Sequence, residues 1–155
     1  MQPPDAPRPH AVFHWGGGRF ALDVEGLQEV VADLALTPLP RSGDGWLGVG
    51  NLRGEILPAV SLQRWFAGAT TALPPVFLVV RTPAGKMALA AESVAGVRPV
   101  PPDPDGETAS AMGDPEFVVR RWQPPGDETA VRCLDAARLA QKLRDAFVLS
   151  NLPPL

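Results

Sequence analysis

The amino-acid sequence predicts a mainly β protein, and three observations support this fold class. The 155 residues include 19 prolines and 15 glycines, which favour many turns between short strands. Apolar and polar side chains alternate along residues 19–24 with the period of two that is typical of a half-buried strand. Residues 46–62 (WLGVGNLRGEILPAVSL) consist of two apolar arms on either side of a tight turn. The sequence therefore predicts hairpins rather than a helical bundle.

Composition and charge exclude several classes of function. The formal net charge is −3 and no basic run exceeds two residues, so the chain lacks the electrostatic signature of a nucleic-acid-binding protein. Apolar runs are too short to span a membrane, and residues 1–10 lack the apolar core of a signal peptide. Cys133 is the single cysteine, which excludes an internal disulfide and fits a reducing cytoplasm. We expect one cytoplasmic domain, or two small subdomains sharing a core.

The first third of the chain begins with a tail and a hairpin. Residues 1–10 contain four prolines and are predicted to form a disordered or extended tail. Residues 11–24 are predicted to form a hairpin that turns at residues 16–18. These glycines lack the Lys-Ser/Thr pair and the helix that follow a phosphate-binding loop. Residues 26–36 are ambiguous, because their apolar positions fit helical spacing as well as a strand.

The central stretch is predicted to be a hairpin with its turn at residues 52–55. Gly54 can adopt the positive φ that a two-residue turn requires. Arg53 then lies at the tip of an apolar hairpin, either as a contact residue for a partner or as an ordinary surface residue. After this hairpin, Ser61 and Gly68 can begin and end a short helix, and residues 69–75 form a linker.

The second half of the chain is predicted to contain further short strands and one helix. A long exposed loop is expected at residues 100–113, which are rich in proline and aspartate. Asp135 is a natural N-cap for the C-terminal helix, and Leu139, Leu143 and Phe147 recur along one face of it. The predicted strands are residues 76–80, 87–90, 92–97, 116–122 and 130–134.

The sequence does not contain a recognisable catalytic constellation. His10 and His14 would lie about 13 Å apart along a strand, too far to share a metal ion. Cys133 lies in an apolar strand, as a buried structural thiol would. Four acidic residues have a spacing that matches no calcium loop: Asp103, Asp105, Asp114 and Glu116. We therefore expect no enzymatic activity, no cofactor and no metal.

The amino-acid sequence of the central hairpin resembles the core motif of the CheW-like family, the adaptors of bacterial chemotaxis arrays. The resemblance covers roughly residues 12–147. Departures at Gly50, Ser61, Glu92 and residues 118–120, which lack the glycine common in the family's late strand, indicate a divergent member. The motif is carried by Gly48, Asn51, Leu52, Arg53, Gly54, Glu55, Leu57, Pro58, Val60 and Leu62.

The resemblance implies a specific architecture. It implies two small five-stranded SH3-like β-barrels that share an apolar interface, within a domain at residues 11–150. Their approximate bounds are residues 19–74 and 76–134, followed by a C-terminal helix at 135–148. It also implies a strand within residues 26–36. A weak internal repeat agrees with an architecture of two similar halves. In this repeat, two segments of the chain each contain a strand, then a capping residue, then a helix.

The resemblance also implies a function. Family members bridge the regulatory domain of a CheA-type histidine kinase and the cytoplasmic tips of methyl-accepting chemoreceptors, without catalysis. By this resemblance Arg53 is the main candidate for partner binding, with its neighbours Asn51, Leu52, Gly54 and Glu55. Two alternatives stay open: an adaptor of a pilus-motility or other chemosensory-like system, and an unrelated small β-barrel that binds a ligand.

Overall fold

The computed structural model describes residues 6–38, 45–66, 76–102 and 113–150, with side chains up to residue 145. These residues form eleven strands and one helix. In chain order they are β1 (Arg8–Trp15), β2 (Gly18–Asp23), β3 (Leu27–Val31), β4 (Leu36–Thr37), β5 (Trp46–Leu52), β6 (Glu55–Val60), β7 (Val76–Thr82), β8 (Gly85–Ala91), β9 (Ser93–Val100), β10 (Val118–Trp122), β11 (Val131–Leu134) and α1 (Ala136–Ser150).

The strands form two sheets, and this confirms the predicted mainly β fold with a C-terminal helix. The first sheet has five strands in the order β10-β11-β2-β1-β9. The second has six strands in the order β3-β7-β8-β6-β5-β4, and its extra strand, β4, has only two residues. Without β4 the two orders are the same pattern, in which β1, β2, β3, β5 and β6 correspond to β7, β8, β9, β10 and β11. The weak internal repeat in the sequence therefore corresponds to a structural repeat of the two halves.

The two halves of the chain exchange hairpins, which corrects the predicted subdomain bounds. The β1–β2 hairpin lies in one sheet with β9, β10 and β11, and the β7–β8 hairpin lies in the other sheet with β3 to β6. Parallel pairs join each hairpin to its sheet, β2 with β11 and β8 with β6. A division of strands at residue 75 is therefore wrong. Apolar periodicity predicts a strand but does not identify the strand that pairs with it.

Three apolar clusters explain how two sheets form one molecule. Val12, Ala21 and Val131 belong to a cluster within the first sheet, and Leu57, Phe77 and Ala88 belong to a cluster within the second. A larger cluster joins the two sheets, and its buried members include Phe13, Phe20, Leu62, Leu78, Leu89, Phe117, Leu139 and Leu143. Because neighbouring strand residues face opposite sides, β1 and β7 contribute to both a barrel core and the shared interface. The predicted apolar interface is confirmed.

The N-terminal hairpin is confirmed, but its first strand starts earlier than predicted. Gly16 and Gly17 form the turn, with φ of 58° and 79°. β1 begins at Arg8, inside the segment predicted as a tail, because Arg8 pairs with Val100 of β9. Residues 1–5 lie outside the described part of the chain. Local composition predicts an irregular tail, whereas pairing with a distant strand extends β1.

Residues 26–36 contain strand β3 and the first residue of β4, so the strand that the family resemblance implied is present. Val30 is paired with Leu78 and Val31 with Phe77 of β7, and this pairing overrides the helix-compatible spacing. After β6, the amide of Phe66 donates to the carbonyl of Leu62 at 2.8 Å, which makes a single turn. The short helix predicted at 61–68 is therefore reduced to this turn in the described part. Gly68 and the predicted linker lie outside the described residues.

The C-terminal helix begins as predicted. The Asp135 carboxylate accepts a hydrogen bond from the amide of Arg138 at 3.0 Å, which caps the first turn of α1. Leu139 and Leu143 are buried against the shared interface. The helix extends to Ser150, two residues beyond the predicted end. The side chain of Phe147 and most of the loop predicted at 100–113 lie outside the described part.

Candidate partner-binding site

The β5–β6 turn has an arginine at its tip. Arg53 and Gly54 have φ of 50° and 87°, so both central residues are left-handed, as in the type I′ turns of two-residue hairpins. The Asn51 side-chain oxygen accepts a hydrogen bond from the amide of Gly54 at 2.9 Å. Asn51 and Gly54 are thus explained by the geometry of the turn. Arg53 is explained only in part, since glycine and asparagine fit its backbone conformation better.

Arg53 is held in place by an ion pair with Glu29 of β3. Arg53 Nη1 donates to Glu29 Oε2 at 3.2 Å, and Nη2 contacts the second carboxylate oxygen. The hydrogen bond from Arg53 lowers the pKa of the Glu29 carboxyl, and the same bond raises the pKa of the Arg53 guanidinium. The Arg53 side chain is still 69% exposed. The pair therefore orients the guanidinium without removing it from solvent.

The other candidate residues of this turn have different roles. The Glu55 carboxylate forms an ion pair with Lys86 Nζ of β8 at 2.9 Å, and the Glu55 side chain is half exposed. Leu52 is half-buried and packs against the cluster of the second sheet, so it anchors the hairpin. The structure thus places Arg53, Glu55, Asn51 and Gly54 together at one surface, with Leu52 turned toward the core.

An exposed isoleucine adjoins this surface and was not among the predicted site residues. Ile56 is 63% exposed, and it lies directly opposite Asn51 in the β5–β6 register. Val30, the residue after Glu29, is 43% exposed. The strand alternation contained the signal for Ile56, because Leu57 is buried and its neighbour must face outward. Arg53, Glu29, Glu55 and Ile56 are hereafter called the hairpin surface.

Two glycines of β5 allow the β3–β4 segment to pack closely over the hairpin. A Cβ on Gly48, whose φ is 135°, would lie 2.3 Å from the Thr37 carbonyl oxygen. A Cβ on Gly50 would lie 2.7 Å from Leu34 Cδ2. The Leu34 side chain therefore occupies the space where an apolar residue at position 50 would lie. This contact accounts for the unusual glycine before Asn51.

The residues weighed for catalysis or metal binding are not brought together. Cys133 is buried, and its burial raises the pKa of the thiol. His14 Nδ1 lies 3.2 Å from Ser93 Oγ, and His10 Nδ1 lies 2.9 Å from the Arg8 carbonyl oxygen. Within the described ranges, histidine, cysteine and acidic side chains do not form a group of three that could hold a metal ion. Asp103 and Asp105 lie outside those ranges.

The fold and this surface define a class of protein: a double β-barrel with an exposed charged hairpin. A family model described as CheW-like domain matches residues 10–144. The chain therefore belongs to the CheW-like family, whose members are non-catalytic scaffold proteins. Both the predicted family and the expected absence of enzymatic activity agree with this membership. In the described part of the chain, no helix is both long enough and apolar enough to cross a membrane.

Two individual proteins resemble the chain over most of its length. Protein FrzA of Myxococcus xanthus is 32% identical over 143 residues, which cover 88% of this chain and 87% of that protein. The crystal structure of the scaffolding protein TtCheW from Thermoanaerobacter tengcongensis matches with a TM-score of 0.71. That match has 23% sequence identity and covers 86% of this chain and 92% of the other. It confirms the predicted fold of two SH3-like β subdomains.

Proposed function

We propose that this protein is a cytoplasmic signalling adaptor that couples methyl-accepting chemoreceptors to a CheA-type histidine kinase in bacterial chemotaxis. One observation carries the proposal: Arg53 is fixed by its turn and by Glu29 but is 69% exposed, in a chain of the CheW-like family. A preorganised, solvated guanidinium is costly to orient without a partner, because long charged side chains lose rotamer freedom when they are fixed.

The hairpin surface has the composition of a small protein interface. Arg53 has five N–H donors, of which Glu29 engages one edge, so donors remain for carboxylate or carbonyl oxygens of a receptor. Ile56 supplies exposed apolar area next to Glu55 in the same hairpin. Interfaces commonly combine an apolar centre with a polar rim and an arginine anchor. The cytoplasmic tip of a chemoreceptor is the partner that we assign to this surface.

The proposed mechanism is geometric. The shared apolar interface joins the two sheets into one packed unit, so a receptor at the hairpin surface and a kinase bound elsewhere are held in a fixed relation. A change in receptor conformation then biases kinase activity through the orientation of the two partners. The adaptor supplies binding energy and position, and no bond is made or broken on it.

The pathway served by this adaptor depends on which kinase it binds. A pilus-motility or other chemosensory-like system is the alternative to chemotaxis. A ligand-binding barrel has less support from the structure. In a cavity of about 740 Å³, three of the charged lining residues already form ion pairs with one another, because Arg8 contacts both Asp23, at 2.9 Å, and Glu25.

Calorimetric titration tests the kinase partnership. The purified protein would be titrated with the regulatory domain of each chemotaxis-type histidine kinase from the same organism. We expect saturable one-to-one binding with one of these domains, and that kinase names the pathway. A negative control is a domain of a histidine kinase from an unrelated two-component system, which should release no binding heat. Absence of binding to every chemotaxis-type domain would contradict the adaptor function.

A further inference from the structure

A cluster of four arginines lies in the first sheet, which does not contain the Arg53 hairpin. Its members come from four separate strands: Arg19 of β2, Arg98 of β9, Arg121 of β10 and Arg132 of β11. They share two carboxylates, which belong to Asp114 and Asp127. These four arginines are hereafter called the arginine cluster. Its ion-paired groups have two positive charges in excess, although the whole chain has a formal net charge of −3.

Each aspartate bridges two arginines. Asp127 Oδ2 lies 3.2 Å from Arg19 Nη1 and 3.1 Å from Arg98 Nη1. Asp114 lies 2.9 Å from Arg121 Nε and 3.4 Å from Arg132 Nε, and its own side chain is only 5% exposed. The hydrogen bond from Arg121 lowers the pKa of Asp114, and the bonds from Arg98 and Arg19 lower the pKa of Asp127. Both carboxylates are therefore already engaged.

The arrangement carries a cost that the fold alone does not explain. Arg121 and Arg132 are directly opposite in the β10–β11 register, and like charges at opposite positions destabilise a sheet. The Nε atom of Arg19 is buried and has no hydrogen-bond partner within the described part of the chain. A single aspartate between two facing arginines leaves one positive charge uncompensated. An anion bound beside Arg121 and Arg132 would offset this charge.

The guanidinium groups are also held in place. Arg132 is stacked on the rings of Phe66 and Phe20, 4.9 Å and 5.8 Å from their centroids. Arg19 Nη2 donates to the Thr129 carbonyl oxygen at 2.7 Å. Stacking fixes the plane of a guanidinium and leaves its in-plane N–H edges available to a carboxylate. The cluster is therefore preorganised for a planar anion.

A cavity opens between three of these arginines. Its volume is about 250 Å³, and Arg19, Arg121 and Arg132 line it together with Gly17, Gly18, Thr129 and Ala130. The small residues keep the space open, since a Cβ on Gly18 would lie 3.3 Å from Arg132 Nη1. A carboxylate side chain fits this volume and would meet guanidinium groups on several sides.

We propose that the arginine cluster docks an acidic segment of a partner protein, with one carboxylate in the cavity. Charge complementarity selects this occupant, because the cluster has an excess of fixed donors and its own carboxylates are engaged. This inference rests on the proposed adaptor function in one respect: it takes a partner protein as the source of the carboxylates. The cluster and the hairpin surface lie on different sheets, so each subdomain of the adaptor has its own contact.

Peptide binding tests the proposal without a kinase or a receptor. A fluorescein-labelled, glutamate-rich peptide would be titrated with the full chain at low ionic strength, with anisotropy as the readout and the glutamine version as the control. We expect the glutamate peptide alone to bind. Arg121→Gln should weaken binding by about fivefold. Asp127→Asn should tighten it, because it frees Arg19 and Arg98. Arg64→Gln, which alters an exposed arginine outside the cluster, should leave it unchanged.

Three outcomes would overturn the proposal. Equal losses from Arg121→Gln and Arg64→Gln would mean that only overall charge matters. Equal binding of the glutamine peptide would exclude carboxylate recognition. Stronger binding to phosphatidylserine vesicles than to the peptide would assign the cluster to a membrane surface instead. Thermal melts of each variant confirm the fold. Arg53→Glu, which alters the hairpin surface, should not change peptide binding. A negative result in this peptide assay can therefore be distinguished from a negative result for the adaptor function.

Discussion

Arg53 and Glu29 form an ion pair between the two ends of one sheet. Glu29 lies on β3, which is at one edge, and Arg53 joins β5 and β6 near the other edge. Their contact requires the sheet to curl on itself, as in a barrel. The residue assigned to partner binding thus also links β3 to the β5–β6 hairpin. Its substitution needs a separate measurement of folding.

Ile56 allows binding to be tested apart from that ion pair. Ile56→Ser removes an exposed apolar side chain, so the melting temperature should stay close to that of the wild type. Affinity for a receptor tip should fall by about tenfold, because the variant loses an apolar contact with the partner. Leu57→Ala is a control for loss of stability, because it leaves a cavity in the core and should lower the free energy of unfolding by about 3 kcal/mol. Unchanged receptor affinity in Ile56→Ser would remove Ile56 from the interface.

Gly48 and Gly54 should respond differently to the same substitution. Gly48→Ala places a Cβ against the Thr37 carbonyl oxygen at a φ of 135°, and we expect a loss of about 2 kcal/mol or more. Gly54→Ala meets open space, so only the left-handed backbone conformation costs energy, about 1 kcal/mol. Chemical denaturation of both variants measures the difference. A larger loss for Gly54→Ala would contradict the close packing of residue 37 on β5.

Asp114 should make the stability of the protein dependent on acid pH. Its pKa is lowered in the folded state by Arg121, so its contribution is complete above its unfolded pKa, about 3.9. The contribution is lost as the pH falls through the lower, folded pKa. We expect Asp114→Asn to cost about 2 kcal/mol at neutral pH, because it leaves paired arginines without a partner.

Urea denaturation of the wild type and Asp114→Asn along a pH series measures this dependence. The difference in unfolding free energy should narrow below pH 4 or so and should stay constant between neutral pH and about 6. A difference that persists unchanged into acid would mean that Asp114 stabilises the fold by packing rather than by charge.

The sequence correctly predicted the features that depend on neighbouring residues in the chain, such as turns and helix caps. The turn at Arg53 and Gly54 and the cap at Asp135 depend on adjacent residues, and both were predicted at the right positions. Residues 26–36 could not be decided from periodicity, because their strand is selected by pairing with β7.

Long-range pairing set the limit of the sequence-based interpretation. The exchange of hairpins between subdomains depends on two parallel pairs, which apolar patterns do not encode. The arginine cluster was missed for the same reason, since four strands far apart in the chain bring it together. Gly50 was recognised as a departure, but its compensation by Leu34 becomes visible only when β3 and β4 pack over β5.

The central claim is that Arg53 couples a receptor to a kinase without being needed for the fold. The most direct test measures kinase autophosphorylation in a reconstituted mixture of receptor, kinase and this protein, with Arg53→Glu and the control Arg64→Glu. The account predicts that the wild type and Arg64→Glu place the kinase under receptor control. Arg53→Glu should lose that control while it melts near the wild-type temperature and still binds the kinase. Full receptor control by Arg53→Glu, or unfolding of this variant, would contradict the account.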